Sequence, residues 1–151
     1  MARDNQGPVR LYVRKSTLPG AGKGLFTRVP ILKGATIIEY KGRIRKWKDI
    51  KERDADNGYL LYVTREHVID AAPVISAIAR FANDASGINK VKGIVNNSKY
   101  IIDGRRVYIE ALKHIEAGSE ILVGYGREYW DTVKQNRSLT RLEPAKKNKG
   151  K

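Results

Sequence analysis

The sequence predicts a mainly β domain, with several small antiparallel sheets and little helix. Short runs rich in β-branched residues recur along the chain, which is typical of strands. Turns that contain glycine separate these runs, and Asp103-Gly104 between two of them is a strong hairpin signal. The chain has 151 residues, the length of one domain, and 41% of them are hydrophobic, which suffices for a core.

The predicted elements follow one another along the chain. Alternating or β-branched segments predict three strands in the first part, over residues 9–13, 25–29 and 35–40. The charged segment 46–55, which precedes Asn57-Gly58, predicts a short exposed helix. A hairpin pair follows, then a small apolar turn or helix, two further strands and a last strand: residues 59–63, 67–70, 73–81, 99–102, 106–111 and 120–123.

Composition bounds the domain organisation. We expect a disordered N-terminus over residues 1–8, a folded domain over 9–131 and an extension with a basic tail over 132–151. No apolar run is long enough to span a membrane and no signal-peptide core is present, so we expect an intracellular protein without a membrane partner. With no cysteine and only two histidines, no metal site is expected.

Three features admit both a structural and a functional interpretation. The net charge of +14 favours nucleic acid, chromatin or another anionic partner, but a charge surplus is also typical of a solvated surface. The segment from Gly20 to Gly24 either presents backbone N–H groups to a polar ligand or simply turns the chain, and it lacks the Gly-Lys-Ser/Thr ending of a phosphate-binding loop. Eight tyrosines against two phenylalanines indicate either cross-strand packing or a channel lined by phenols.

Five motifs stand in a characteristic order. They are Gly20-Ala21-Gly22-Lys23-Gly24, Glu39-Tyr40-Lys41-Gly42, Ile69-Asp70-Ala71, Ala79-Arg80-Phe81-Ala82-Asn83, and Gly118-Ser119-Glu120-Ile121-Leu122 with Tyr125-Gly126. Each motif is weak alone, but together, over residues 11–130, they resemble the SET-domain family of protein lysine methyltransferases. The resemblance implies a β-clip-like SET fold, in which the last motif threads through the central loop as a C-terminal pseudoknot.

The resemblance also implies a binding site for S-adenosylmethionine. Backbone groups of Ala21, Gly22 and Lys23 would hold the methionine portion, because glycine allows close backbone approach. Asn83 and Asp84 match the pair that binds the adenosine end. The remaining cofactor contacts implied are Tyr59, Arg80, Phe81 and Trp130, the last closing over the adenine.

Three tyrosines match the catalytic positions of the family. Tyr125 corresponds to the reaction centre, and Tyr40 and Tyr100 to the walls of the lysine channel. The residue type suits the chemistry, because a lysine with a pKa of about 10.4 must lose its proton before it can attack a methyl group. A narrow, dry channel favours the neutral amine.

Two departures from the family pattern bear on activity. Asp84 stands where the family has histidine, and an insertion runs through Val95 before Asn97, the second asparagine of the central motif. The resemblance implies a protein-lysine methyltransferase. The basic surface favours a histone or another DNA-associated protein as its substrate, in the nucleus or on chromatin or a nucleoid. The alternative is a basic nucleic-acid-binding or chromatin-binding module with a catalytically inactive SET fold.

Overall fold

The computed structural model describes residues 6–50, 59–87 and 90–125. Within these residues, nine strands form three antiparallel sheets of three strands each. The strands are β1 (Leu11–Lys15), β2 (Lys23–Thr27), β3 (Thr36–Glu39), β4 (Arg43–Arg45), β5 (Leu60–Thr64), β6 (His67–Asp70), β7 (Ser98–Asp103), β8 (Arg106–Ala111) and β9 (Glu120–Ile121). The helices of the described part are two short 3-10 turns, Trp47–Asp49 and Ile78–Phe81, so the predicted mainly β class is confirmed.

In the first sheet, β2 lies between β1 and β9. Tyr12 is opposite Phe26 and Leu25 is opposite Ile121, so alternate side chains of β2 face the core and the outer side. Strand β1 begins two residues later than predicted and β2 two residues earlier, because the two strands pair from Leu11 opposite Thr27 to Lys15 opposite Lys23. The N–H of Ser16 closes that turn by donating to the carbonyl of Gly22 at 2.8 Å.

In the second sheet, β8 lies between β3 and β7. The predicted hairpin at Asp103-Gly104 is present, with Gly104 at a φ of 64° and Asp103 opposite Arg106. Alternate residues of β8 are buried because one face of this strand packs on the core. They are Val107, Ile109 and Ala111.

In the third sheet, β6 lies between β4 and β5, and the hairpin predicted for this region is confirmed. The helix predicted over 46–55 is wrong where the structure describes it. Strand β4 pairs with β6, and the guanidinium of Arg45 forms a 3.0 Å ion pair with Asp70. Only Trp47–Asp49 is helical, and Ile50 is already extended. Residues 51–58, with the predicted helix end at Asn57-Gly58, lie outside the described residues.

The segment that follows β9 lies between two parts of the central loop. The N–H of Val123 donates to the carbonyl of Asn83 at 2.8 Å. On the other side, the N–H groups of Asn97 and Ser98 donate to the carbonyl of Leu122 at 2.9 and 3.0 Å. This is the threading expected of a C-terminal pseudoknot. It also explains why β9 is shorter than predicted, since Leu122 and Val123 form parallel bridges instead of extending the sheet.

The described ranges contain no helix long and apolar enough to cross a bilayer. Nor do they bring three acidic or histidine side chains together as a possible metal site. Trp130 and the predicted C-terminal extension lie outside the residues that the structure describes.

Candidate active site

Three tyrosines from three parts of the chain meet where the last segment passes the central loop. Tyr40 directly follows β3, Tyr100 lies on β7, and Tyr125 ends the threaded segment. The ring of Tyr100 stacks on that of Tyr125 with centroids 6.3 Å apart, and Tyr40 meets Tyr100 edge-on at 6.0 Å. The tyrosines predicted to be catalytic therefore form one aromatic cluster.

Main-chain carbonyls orient two of the three hydroxyls. The hydroxyl of Tyr125 donates to the carbonyl of Ala82 at 2.5 Å, and that of Tyr40 donates to the carbonyl of Tyr59 at 2.8 Å. Tyr40 is buried, and its hydroxyl has the hydrogen-bond partner that a buried phenol usually requires. This hydrogen bond also fixes the position of Tyr40 in the cluster. Tyr125 is half-buried.

The carboxylate of Asp84 points into the protein, and this residue is only 4% exposed. Its Oδ1 accepts hydrogen bonds from the N–H and the hydroxyl of Ser86 at 2.8 and 2.6 Å, and from the amide of Asn96 at 2.8 Å. Its Oδ2 accepts from the backbone N–H of Tyr125 at 2.7 Å. One carboxylate thus links both halves of the central loop to Tyr125. The predicted cofactor contact of Asp84 would have to use its main chain.

A second buried carboxylate, that of Glu120, connects the Gly-rich turn to Asn83. It accepts hydrogen bonds from the hydroxyl of Ser16 at 2.7 Å and from the N–H and hydroxyl of Thr17 at 2.9 and 2.6 Å. The amide of Asn83 donates to Glu120 at 3.4 Å and to the carbonyl of Lys23 at 3.0 Å. The turn and Asn83, predicted to bind opposite ends of one cofactor, therefore belong to one hydrogen-bonded unit.

The Gly-rich turn is open on its outer side. Gly22 has a φ of 73°, and a Cβ built there would meet no atom within 4 Å. On the inner side, the N–H of Ala21 donates to the carbonyl of Leu18 at 3.2 Å. Gly24, by contrast, has no room for a side chain, because a Cβ would collide with the carboxylate of Glu120.

Arg80 packs between two aromatic rings. Its guanidinium lies 5.0 Å from the ring centroid of Tyr59 and 4.8 Å from that of Phe81, and these rings meet edge-on. Its Nη1 donates to the carbonyls of Ala71 and Ala72 at 3.2 and 3.0 Å, while Nε is buried without a hydrogen-bond partner among the described residues. The side chain is committed to packing, so the cofactor contact predicted for Arg80 would rest on its main chain.

The donor set of this region fits the cofactor expected from the sequence. The ammonium of Lys23, 6.0 Å from the ring centroid of Phe81, lies beside the open turn and suits a carboxylate. The half-buried rings of Tyr59 and Phe81 suit an aromatic base. Among the predicted site residues within the described ranges, all lie in this connected region, whereas Trp130 is outside those ranges.

Asn96 and Glu120 are not among the predicted site residues, yet both hold the site together. Asn96 accepts from the N–H of Ala85 at 2.8 Å and donates to Asp84. Its neighbour Asn97 fixes the threaded segment, donating to the carbonyl of Glu120 at 2.9 Å and accepting from the N–H of Leu122 at 2.9 Å. The adjacent asparagines and the position of Glu120 within the last of the five motifs were the signals for these roles.

Comparison with known proteins supports the resemblance to the SET-domain family. The model of the SET domain family matches residues 22–126. The human "Histone-lysine N-methyltransferase, H3 lysine-36 specific" is 31% identical over 115 residues, which are 71% of this chain and 4% of that protein. The methyltransferase domain of human PR domain-containing protein 2 is 26% identical with a TM-score of 0.57, covering 77% of this chain and 76% of that one.

A further solved structure shares the fold. ctPRC2, in an autoinhibited conformation bound to S-adenosylmethionine, is 24% identical with a TM-score of 0.63 over 87% of this chain and 17% of that one. Three small antiparallel sheets and a threaded C-terminal segment agree with the fold of these structures. The chain belongs to the SET domain family. It spans a third or less of the curated relatives it matches, from 33% of one to 4% of another.

Proposed function

We propose that this chain is an S-adenosylmethionine-dependent protein-lysine N-methyltransferase. The observation that carries the proposal is the tyrosine cluster, in which the Tyr125 hydroxyl lies 2.5 Å from the carbonyl oxygen of Ala82. That pair is adjacent to Asn83, which is tied in turn to the Gly-rich turn through Lys23. Methyl transfer is an in-line displacement that depends on alignment, and a rigid channel beside a cofactor site supplies it.

The chain's own residues would prepare the substrate lysine. A lysine amine is protonated at neutral pH, and burial among the rings of Tyr40, Tyr100 and Tyr125 disfavours that charged form. The proton leaves to solvent as the side chain enters. The hydroxyl of Tyr125 and the carbonyl of Ala82 then orient the neutral amine, because their positions are already fixed by a mutual hydrogen bond.

The cofactor would be held mainly by main-chain groups. S-adenosylmethionine, when bound, supplies the methyl group as an electrophile. We assign its amino-acid end to Ala21, Gly22 and Lys23 and its adenosine end to Asn83 and Asp84. The ring contacts proposed are Tyr59, Phe81 and Trp130, and the carbonyls of Arg80 and Ala82 would make C–H···O contacts with the methyl group.

We propose a histone or another DNA-associated protein as the substrate. The relative that carries the name of a histone H3 lysine-36 methyltransferase supports this class. The net charge of +14 supports a location on chromatin, in a nucleus or nucleoid.

Calorimetric titration of S-adenosylmethionine tests the cofactor site. Wild-type protein is expected to bind it, and Asn83→Ala is expected to weaken binding at least tenfold, since the lost amide also positions the Gly-rich turn. Gln6→Ala is the matched control, because that amide also makes two main-chain hydrogen bonds, to Pro30 and Leu32, but outside the proposed site. The comparison uses temperatures well below the unfolding transition of both variants. Absence of binding by folded wild type would contradict the proposal and favour the catalytically inactive alternative.

A further inference from the structure

Three arginines surround two aromatic rings on the outer face of the first sheet. Strand alternation puts Arg10, Tyr12 and Arg14 on one face, with Phe26 and Arg28 opposite them on the neighbouring chain segment. The guanidinium of Arg14 lies 4.4 Å from the ring centroid of Phe26, and that of Arg28 lies 4.2 Å from that of Tyr12. We term these five residues the arginine face.

The arginines are exposed while the rings beneath them are covered. Phe26 is only 1% exposed and Tyr12 is half-buried, whereas Arg10, Arg14 and Arg28 are all exposed. A guanidinium stacked on a ring keeps its N–H edge available, and that edge matches the oxygens of a phosphate. The ring contacts also restrict the side chains beforehand, which reduces the entropy that binding would cost.

The arginine face retains its positive charge. Within residues 6–50, 59–87 and 90–125, none of its arginines takes part in an ion pair. The carboxylate of Glu120, opposite Phe26 in the sheet, is buried and accepts hydrogen bonds from Ser16 and Thr17. Glu120 therefore lies on the same face as Phe26, but it is one buried carboxylate against three exposed arginines.

We propose that the arginine face binds the phosphate backbone of duplex nucleic acid without reading base sequence. Single strands are bound through rings on which bases stack, and here the arginines already cover the rings. Protein interfaces are usually centred on buried aromatic or apolar anchors, and amphipathic membrane-binding surfaces insert apolar side chains. The large exposed hydrophobic residues of the described part lie elsewhere: Ile44, Trp47, Tyr62, Ile75, Val95, Ile102 and Leu112.

This surface adjoins the proposed methyltransferase site, because Arg14 is opposite Gly24 and Phe26 is opposite Glu120, but it shares no residue with the site. None of its five residues belongs to the tyrosine cluster or to the Gly-rich turn. Nucleic-acid binding is therefore expected without cofactor and without substrate peptide, so its test does not depend on methyl transfer. If both functions are present, the arginine face would hold the enzyme near a DNA-associated substrate.

Fluorescence anisotropy with a labelled mixed-sequence DNA duplex tests the proposal. The variant replaces the three arginines together, Arg10→Gln, Arg14→Gln and Arg28→Gln. Each phosphate contact contributes a slope of about 0.9 to the dependence of log affinity on log salt concentration, so the slope should fall by about 3. By the same relation, affinity at 0.15 M salt should fall on the order of 100-fold. Arg10→Gln alone, which disturbs no ring contact, should lower the slope by about 1.

The matched control removes the same charge elsewhere. Arg43→Gln, Arg65→Gln and Arg105→Gln together replace three exposed arginines outside the first sheet. We expect the control to change affinity less than threefold. Equal losses in both triple variants would overturn the proposal, since binding would then reflect net charge alone. Loss of binding to phosphatidylserine vesicles or to a polyglutamate peptide, with duplex binding unchanged, would overturn it as well.

Discussion

Replacing Asp84 by histidine, the residue that the family pattern has there, is expected to destabilise this protein. The carboxylate accepts four hydrogen bonds, and two of them come from the backbone N–H of Tyr125 and the amide of Asn96, which are part-buried. A neutral imidazole offers one acceptor nitrogen, so it leaves at least one of these two donors without a partner. A buried donor left unsatisfied costs about 1–3 kcal/mol, so the free energy of unfolding should fall by at least about 1–3 kcal/mol.

Urea unfolding followed by circular dichroism measures this loss for Asp84→His. Asp49→Asn is the control, because Asp49 is exposed in the short 3-10 turn and should change stability by less than about 0.5 kcal/mol. Equal slopes of unfolding free energy against urea would show that the variants unfold from comparable compact states. If Asp84→His is as stable as the wild type, the carboxylate network does not hold Tyr125 in the way described.

Three further substitutions test other parts of the site. Glu120→Gln should cost about 1–3 kcal/mol in urea unfolding and weaken S-adenosylmethionine binding in calorimetry, since Ser16 and Thr17 donate to different carboxylate oxygens and an amide keeps only one acceptor oxygen; unchanged values would exclude the link. Gly42→Ala should lower the melting temperature, because the new Cβ would lie 2.5 Å from the carbonyl oxygen of Asp70, and an unchanged melting point would contradict that close packing. Tyr100→Ala should shift peptide products from mono- towards di- and trimethyl-lysine in mass spectrometry, because it removes the ring stacked on Tyr125; an unaltered product distribution would count against it.

Local sequence patterns were sufficient for most of the strands and for the hairpin at Asp103-Gly104. Both depend on residues close together in the chain, so alternation and turn chemistry reveal them. The helix was wrongly predicted over 46–55 because the charged residues of this segment suggested an exposed helix. The preceding residues instead pair with β6, and Arg45 bonds to Asp70, which is 25 positions away. A hydrogen-bond partner so far along the chain cannot be inferred from the local sequence pattern.

The candidate site shows more clearly that local sequence patterns do not reveal partners that are distant in the chain. The order of the motifs was enough to expect Tyr40, Tyr100 and Tyr125 near one another, and their roles remain predictions. The carboxylates that hold the loops could not be found this way. Glu120 bonds to Ser16 across 104 positions, and Asp84 bonds to Tyr125 across 41. Which acidic residue is buried and bonded follows from the threading of the last segment, a property of the folded chain.

Mass spectrometry of methyl transfer tests the central claim most directly. Purified protein, S-adenosylmethionine and core histones are incubated, and methylated lysines are counted for wild type, Tyr125→Phe and the control Tyr108→Phe. Tyr108 lies on β8, outside the tyrosine cluster. We expect methyl-lysine with wild type and Tyr108→Phe, and at least a 100-fold slower rate with Tyr125→Phe, on the scale typical of removing one oriented catalytic group. Undiminished methylation by Tyr125→Phe would contradict the assigned reaction centre, and no methylation of histones or other DNA-associated proteins by cofactor-bound wild type would contradict the proposed function.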